Sequence, residues 1–194
     1  MKGPRIEVLP ATPERWDDLE TLFGPRGACG GCWCMFFRLP RGEFAKGKGD
    51  GNRRALRSLV KGGKEPGLIA YAGGSPVGWC AYAPREDYPS LARSRVLAPI
   101  DDKPVWSVTC FFVARRWRRK GVTVALLRAA AARAAERGAK LLEGFPIAPK
   151  KGTQAVDTFA WTGLVGGFEK AGFAEAARRS ATRPFMRRKL RAPR

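Results

Sequence analysis

The chain has 194 residues, 44% of them hydrophobic, and a formal net charge of +20. That length is enough for a sizeable core, and no apolar run approaches the roughly 20 residues needed to span a bilayer. Histidine is absent, which removes Ser-His-Asp and Cys-His catalysis and every His-ligated metal site.

The first residues lead straight into alternating apolar positions with no signal-peptide core, so a cytoplasmic location is the expectation. The five cysteines are odd in number and argue against a disulfide framework. A charge of +20 attracts polyanions, which leaves a nucleotide-like ligand, nucleic acid or a merely basic surface as readings.

In chain order, residues 5–9 read as a strand. Thr12 then caps a helix with Pro13 at its first position, Trp16, Leu19 and Phe23 at helical spacing, and Gly24 as its stop. The glycine-rich stretch 24–51 reads as irregular, with a short helix over 33–37. Residues 52–60 form a second helix. Runs 67–72 and 76–83, joined by Gly73-Gly74-Ser75, read as a β-hairpin. A long excursion over 84–104 precedes a nearly all-apolar strand over 105–113, expected to be buried on both faces. The strongest helix covers 122–137, with Val124, Leu127, Ala131 and Ala134 on one face and Gly138 as its stop. A strand over 140–147, a helix over 157–170 and a hairpin of 173–180 with 183–190 complete the order. No repeat and no domain-sized linker appears, so one α/β domain over 1–194 is expected.

The chemistry concentrates between the central strand and the strongest helix, in Val113-Ala-Arg-Arg-Trp-Arg118-Arg119-Lys120-Gly121-Val122-Thr123. A strand, a basic turn and a helix N-terminus together make an anion site, because unpaired N–H groups and the positive end of the helix dipole point at the same place. A pyrophosphate is the natural guest. The order of residues is not that of a Walker A loop.

Arg118 to Thr123 resembles the Arg/Gln-x-x-Gly-x-Gly/Ala signature of GNAT acetyltransferases, placed five residues after an aliphatic strand end. Phe168-Glu-Lys-Ala-Gly172-Phe173 is similar to a frequent ending of that family's last helix. The resemblance covers nearly the whole chain. It implies a mixed seven-stranded sheet flanked by about four helices, with a splay between strands 4 and 5. It also implies acetyl-CoA as acetyl donor, no metal, and direct transfer of the acetyl group to a primary amine on a small molecule or peptide. The CoA pyrophosphate would lie on the amides of Arg118, Arg119, Lys120, Gly121, Val122 and Thr123. The pantetheine arm would run along Phe111, Phe112 and Val113, near Phe168.

Two positions depart from the family pattern. Ser107 stands where many members carry a glutamate base, and Phe168 stands where many carry a tyrosine acid. Glu143, on the strand beside the expected cleft, is the replacement base, with Ser107 holding a relaying water; its alternative is a strand residue with a basic partner. Tyr82 is the substitute acid by strand position. These departures leave a CoA-binding module without turnover as the competing class.

Cys29-Gly-Gly-Cys32-Trp-Cys34 reads either as a zinc half-site or as packing, with Trp33, Phe36 and Phe37 forming a wall over the acceptor site. The segment from Arg178 to Arg194 holds eight basic residues and no acidic one. Nucleic-acid binding is the sharper reading of that stretch, although no nucleic-acid motif accompanies it. Either a monomer or a homodimer is compatible with the sequence, and no membrane partner is expected.

Overall fold

The computed structural model describes residues 5–149 and 157–191. Met1 to Pro4 and the end of the basic tail, 192–194, lie outside the described residues.

Seven strands form one sheet: β1 (Ile6–Pro10), β2 (Gly67–Ala72), β3 (Ser75–Pro84), β4 (Trp106–Val113), β5 (Leu141–Gly144), β6 (Ala174–Arg178) and β7 (Pro184–Lys189). Their spatial order is β1-β2-β3-β4-β5-β7-β6. Among these strands β4 and β5 run parallel and the other pairings are antiparallel.

The helices are α1 (Trp16–Phe23), α2 (Arg41–Lys46), α3 (Asp50–Lys61), α4 (Pro89–Ala92), α5 (Val122–Glu136) and α6 (Val165–Lys170). Among the described residues six helices stand where about four were expected, for local reasons. Residues 24–51 contain α2, and the excursion 84–104 contains α4, which starts on Pro89 in the first-turn position that proline tolerates. No helix forms over 33–37. Trp33 and Cys34 take positive φ values of 42° and 51°, following left-handed Gly30 and Gly31, so the chain coils through successive turns. The helix expected over 157–170 is two pieces, a 3-10 turn (Asp157–Thr162) and α6. Gly163, at φ +86°, ends the first. Strand β5 stops at Gly144, shorter than expected, because Pro146 cannot donate to a ladder.

Alternation along the strands gives the sheet two different faces. On one, α5 and α6 cover Leu68, Ala70, Cys80, Tyr82, Val108, Phe111, Leu142 and Met186. Leu126, Leu127, Ala130, Ala131 and Ala134 form the buried stripe of α5, while Val124 is only half-buried. On the other face, α1 and α3 cover Ile69, Tyr71, Trp79 and Ala81. A smaller cluster continues that face over the end of the sheet, joining Phe37, Ala83, Tyr88, Leu91, Phe145 and Phe185.

Candidate active site

The site begins where two strands part. β5 pairs with β4 only at Trp106, Ser107 and Val108. β4 continues to Val113 alongside β3, so its Thr109–Val113 half has no β5 neighbour. Main-chain groups point to alternate sides of a strand. Those of this half that face away from β3 are therefore open to another partner. A bulge accompanies the fork: Ala81 pairs with Cys110 and Tyr82 with Val108, leaving Thr109 as the extra residue.

Five residues beyond β4, the basic turn has the geometry of an anion cradle. Arg115–Trp117 makes one 3-10 turn, and Arg118 fastens the loop through its Nε–H to the Val113 carbonyl at 3.3 Å. Arg119 sits at φ +62°, a strained conformation for a residue with a Cβ. Gly121 takes φ +81° at the N-cap of α5, and a Cβ built there would meet nothing within 4 Å. The first-turn N–H groups of an α-helix have no intrahelical acceptor. Here they lie beside the exposed Arg118, Arg119 and Lys120. A phosphate fits this cradle by charge, by donors and by room.

The α5 face of the fork is apolar. Phe168 is fully buried, edge-on to Phe111 and Phe173 at ring separations of 6.1 and 5.0 Å. Gly144 admits it: a Cβ there would stand 2.3 Å from the Phe168 ring. Phe168 thus shapes the floor where β4 and β5 diverge. Tyr82 lies on this face too, its ring tilted against Trp106 at 5.5 Å, with its hydroxyl donating to Glu65 at 3.3 Å. Burial pushes its phenol well above the ordinary range. Its sheet position is right for an acid, but its side chain points away from Ser107 and Glu143, into the packing under α5. The expectation for Tyr82 is therefore corrected.

The opposite face is polar. Glu143 and Ser107 are fully buried and adjacent across the ladder, and the Ser107 hydroxyl donates to Glu143 Oε1 at 3.2 Å. Arg85 also donates to Oε1, and Arg187 Nε donates to Oε2 at 3.1 Å. Arg187 reaches Asp101 at 2.6 Å as well. Both oxygens of Glu143 are thus committed to guanidinium groups, which is the basic-partner arrangement that stood as the alternative to a free base. Nearby, Arg38 donates to the Tyr88 hydroxyl at 3.1 Å and pairs with Asp87 at 3.6 Å. Burial pushes the Tyr88 phenol up to about 12, against the pull of Arg38 and of a hydrogen bond from Thr109 at the bulge.

The aromatic segment divides. Trp33 is core, stacked on Trp16 at 6.1 Å and packed on Phe23, so it is not part of a wall over the acceptor site. Phe36 and Phe37 do group, with Trp161 at 5.5 Å from both rings and Phe44 at 5.4 Å from Phe36. Phe36 is the exposed member. Among the cysteines, Cys34 and Cys110 touch at 3.3 Å between sulfurs, and Trp79 Nε1 donates to Cys34 at 3.1 Å. The neighbouring Cys34 and burial push the Cys32 thiol well up, and burial does the same at Cys80. Among the described residues no group of three or more Cys, Asp or Glu is placed to hold a metal ion, and no helix is long and apolar enough to cross a membrane.

Sequence reasoning missed Arg85, Tyr88, Thr162, Arg183 and Arg187. The one available signal was the period-2 alternation of β7, which puts Arg187 on the same face as Phe185.

A forked parallel pair beside a basic, left-handed turn at a helix N-terminus defines a class of acyl-CoA transferases. The family model "Acetyltransferase (GNAT) family" matches residues 33–159, and the chain belongs to that family. The fold is shared with solved structures at low identity. A Corynebacterium glutamicum protein described as histone acetyltransferase HPA2 and related acetyltransferase is 18% identical, with TM-score 0.54 over 97% of this chain and 98% of that one. A Listeria monocytogenes acetyltransferase of the GNAT family is 12% identical, with TM-score 0.56 over 97% of each chain. PaiA N-acetyltransferase of Thermoplasma acidophilum, solved in complex with coenzyme A, is 12% identical, with TM-score 0.52 over 96% of this chain and 99% of that one. No curated protein matches the sequence significantly.

Proposed function

We propose that this acetyltransferase moves the acetyl group of acetyl-CoA to a primary amine by direct attack. The observation that carries the reading is the departure of β5 from β4 after Val108, beside the left-handed Gly121 turn. Acetyl-CoA supplies the acetyl group as an activated thioester. The chain's own residues do the rest.

The amides from Arg118 to Thr123 hold the pyrophosphate, and the open main chain of Phe111, Phe112 and Val113 lines the pantetheine arm. Phe168 closes the floor of the fork. The amine enters from the opposite face, where Phe36, Phe37 and Trp161 exclude water. Glu143, held by Arg85 and Arg187, accepts from the Ser107 hydroxyl and so positions it beside the fork. The amine proton passes to water held on the Ser107 hydroxyl and from there to solvent, while buried Tyr88, protonated at neutral pH, gives its proton to the departing CoA thiolate and takes one back through water.

Calorimetric titration of acetyl-CoA, followed by thiol release with a panel of amines, tests the reading. Saturable binding with amine-dependent thiol release is expected. Binding without thiol release for any amine leaves a CoA-binding module, and absence of binding overturns the acetyl-transfer reading altogether.

A further inference from the structure

The arginines buried on the polar face differ in one respect. Arg85 and Arg187 share Glu143, Arg187 adds Asp101, and Arg38 has Asp87. Arg183, half-buried in the turn between β6 and β7, has no carboxylate within ion-pair distance among the described residues. Its Nη1 donates to the Thr162 hydroxyl at 2.8 Å and to the Phe145 carbonyl at 3.4 Å. Those partners leave Nε and Nη2 without an acceptor among the described residues. Burial alone acts on its charge, and it lowers the pKa. Neither free nitrogen is sealed from solvent, so an incoming anion can reach both donors and supply the counter-charge that the described residues do not.

Its position is specific. Phe145 is the first residue after β5 leaves the sheet, and Thr162 is buried beside it at the end of the 3-10 turn that packs on β4. Arg183 therefore stands at the mouth of the fork, on the face opposite the Gly121 turn. Trp161, next to Thr162, belongs to the Phe36–Phe37 aromatic group. A guanidinium edge with two free donors matches a carboxylate in a planar, two-bond arrangement.

We propose that Arg183 binds a carboxylate on the acceptor, so that the amine substrate is a compact amino acid with an apolar or aromatic body. Taking the amine acetylation above as given, the carboxylate on Arg183 and the body on Trp161 and Phe36 direct the amine into the fork. Arg183 is then a specificity-determining residue rather than a catalytic one.

The test needs no turnover. N-acetylglycine, N-acetylleucine and N-acetylphenylalanine, each paired with its amide, are titrated calorimetrically into the protein with and without CoA. At least one acid is expected to bind at least tenfold more tightly than its amide. That preference should vanish in Arg183→Gln and survive in part in Arg183→Lys, with the acetyl-CoA affinity of both variants unchanged. No preference for any acid in the unaltered protein overturns the proposal, as does a preference that persists in Arg183→Gln. Loss of acetyl-CoA binding in the unaltered protein would sink the transferase reading by itself, while the titrations without CoA would still decide on Arg183.

Discussion

The two faces of the β4–β5 fork are built on different principles. On the α5 face, the proposed CoA surface is backbone: a left-handed glycine, the first turn of a helix, and strand edges left unpaired where β5 departs, over a floor of Phe111 and Phe168. On the opposite face, every feature is a side chain: Ser107, Glu143, Arg85, Arg187 and Arg183, with one buried carboxylate and one guanidinium that has no carboxylate partner among the described residues. A backbone site binds what all members of a family share. A side-chain site can be rewritten residue by residue, and it is here that acceptor choice is expected to reside.

The sharpest way to break this division is at Gly121. Gly121→Glu puts a carboxylate into the open space of the cradle, and acetyl-CoA affinity is expected to fall by roughly a hundredfold or more, about 2.7 kcal/mol. Gly121→Ala keeps the charge unchanged. It costs about 1 kcal/mol of stability for its left-handed φ and much less affinity, as thermal melts and calorimetry together would show.

Next comes Glu143→Gln, which leaves two buried guanidinium groups facing an amide. The expected loss is about 3–5 kcal/mol in urea unfolding, with turnover falling in proportion to folded protein. A large loss of turnover at unchanged stability would instead make Glu143 the direct base.

The turn was legible in the sequence because it is contiguous: strand end, basic loop, glycine and helix start follow one another within a dozen residues. The succession of strands along the chain was equally legible, from apolar runs punctuated by glycine and proline. The polar face was not. Arg85, Asp101, Glu143, Thr162, Arg183 and Arg187 come from separate segments, and only the insertion of β7 between β5 and β6 brings them together. Arg183 and Arg187 read in sequence as part of a basic tail. Trp33 was misplaced for a local reason, since positive φ at Trp33 and Cys34 turns a helix-like aromatic spacing into coiled turns that send the indole inward.

Smaller effects sharpen the same contrast. Tyr82→Phe removes one long hydrogen bond to Glu65 on the α5 face, so about 0.5–1.5 kcal/mol of stability should be lost with kcat unchanged. At Asp101, the hydrogen bond from Arg187 holds the carboxyl below its ordinary value. A depressed folded value means the stabilisation is present above the unfolded pKa, about 3.9, and is lost as the pH falls through the folded value. Asp101→Asn should therefore lower stability slightly in the neutral region, leave it little changed well below about pH 4, and so flatten the acid limb of a stability–pH curve.

The insertion of β7 also orders events in time. β5 and its buried glutamate are synthesised well before Pro184–Lys189, yet β7 supplies both β5's outer hydrogen bonds and the second guanidinium on Glu143. As the nascent chain leaves the ribosome, β1 to β4 can assemble along their hairpin order, whereas β5 keeps an open edge and an incompletely neutralised charge. Completion of the sheet at β5 thus waits on β7, and a chain halted before β7 would expose that edge to neighbouring chains.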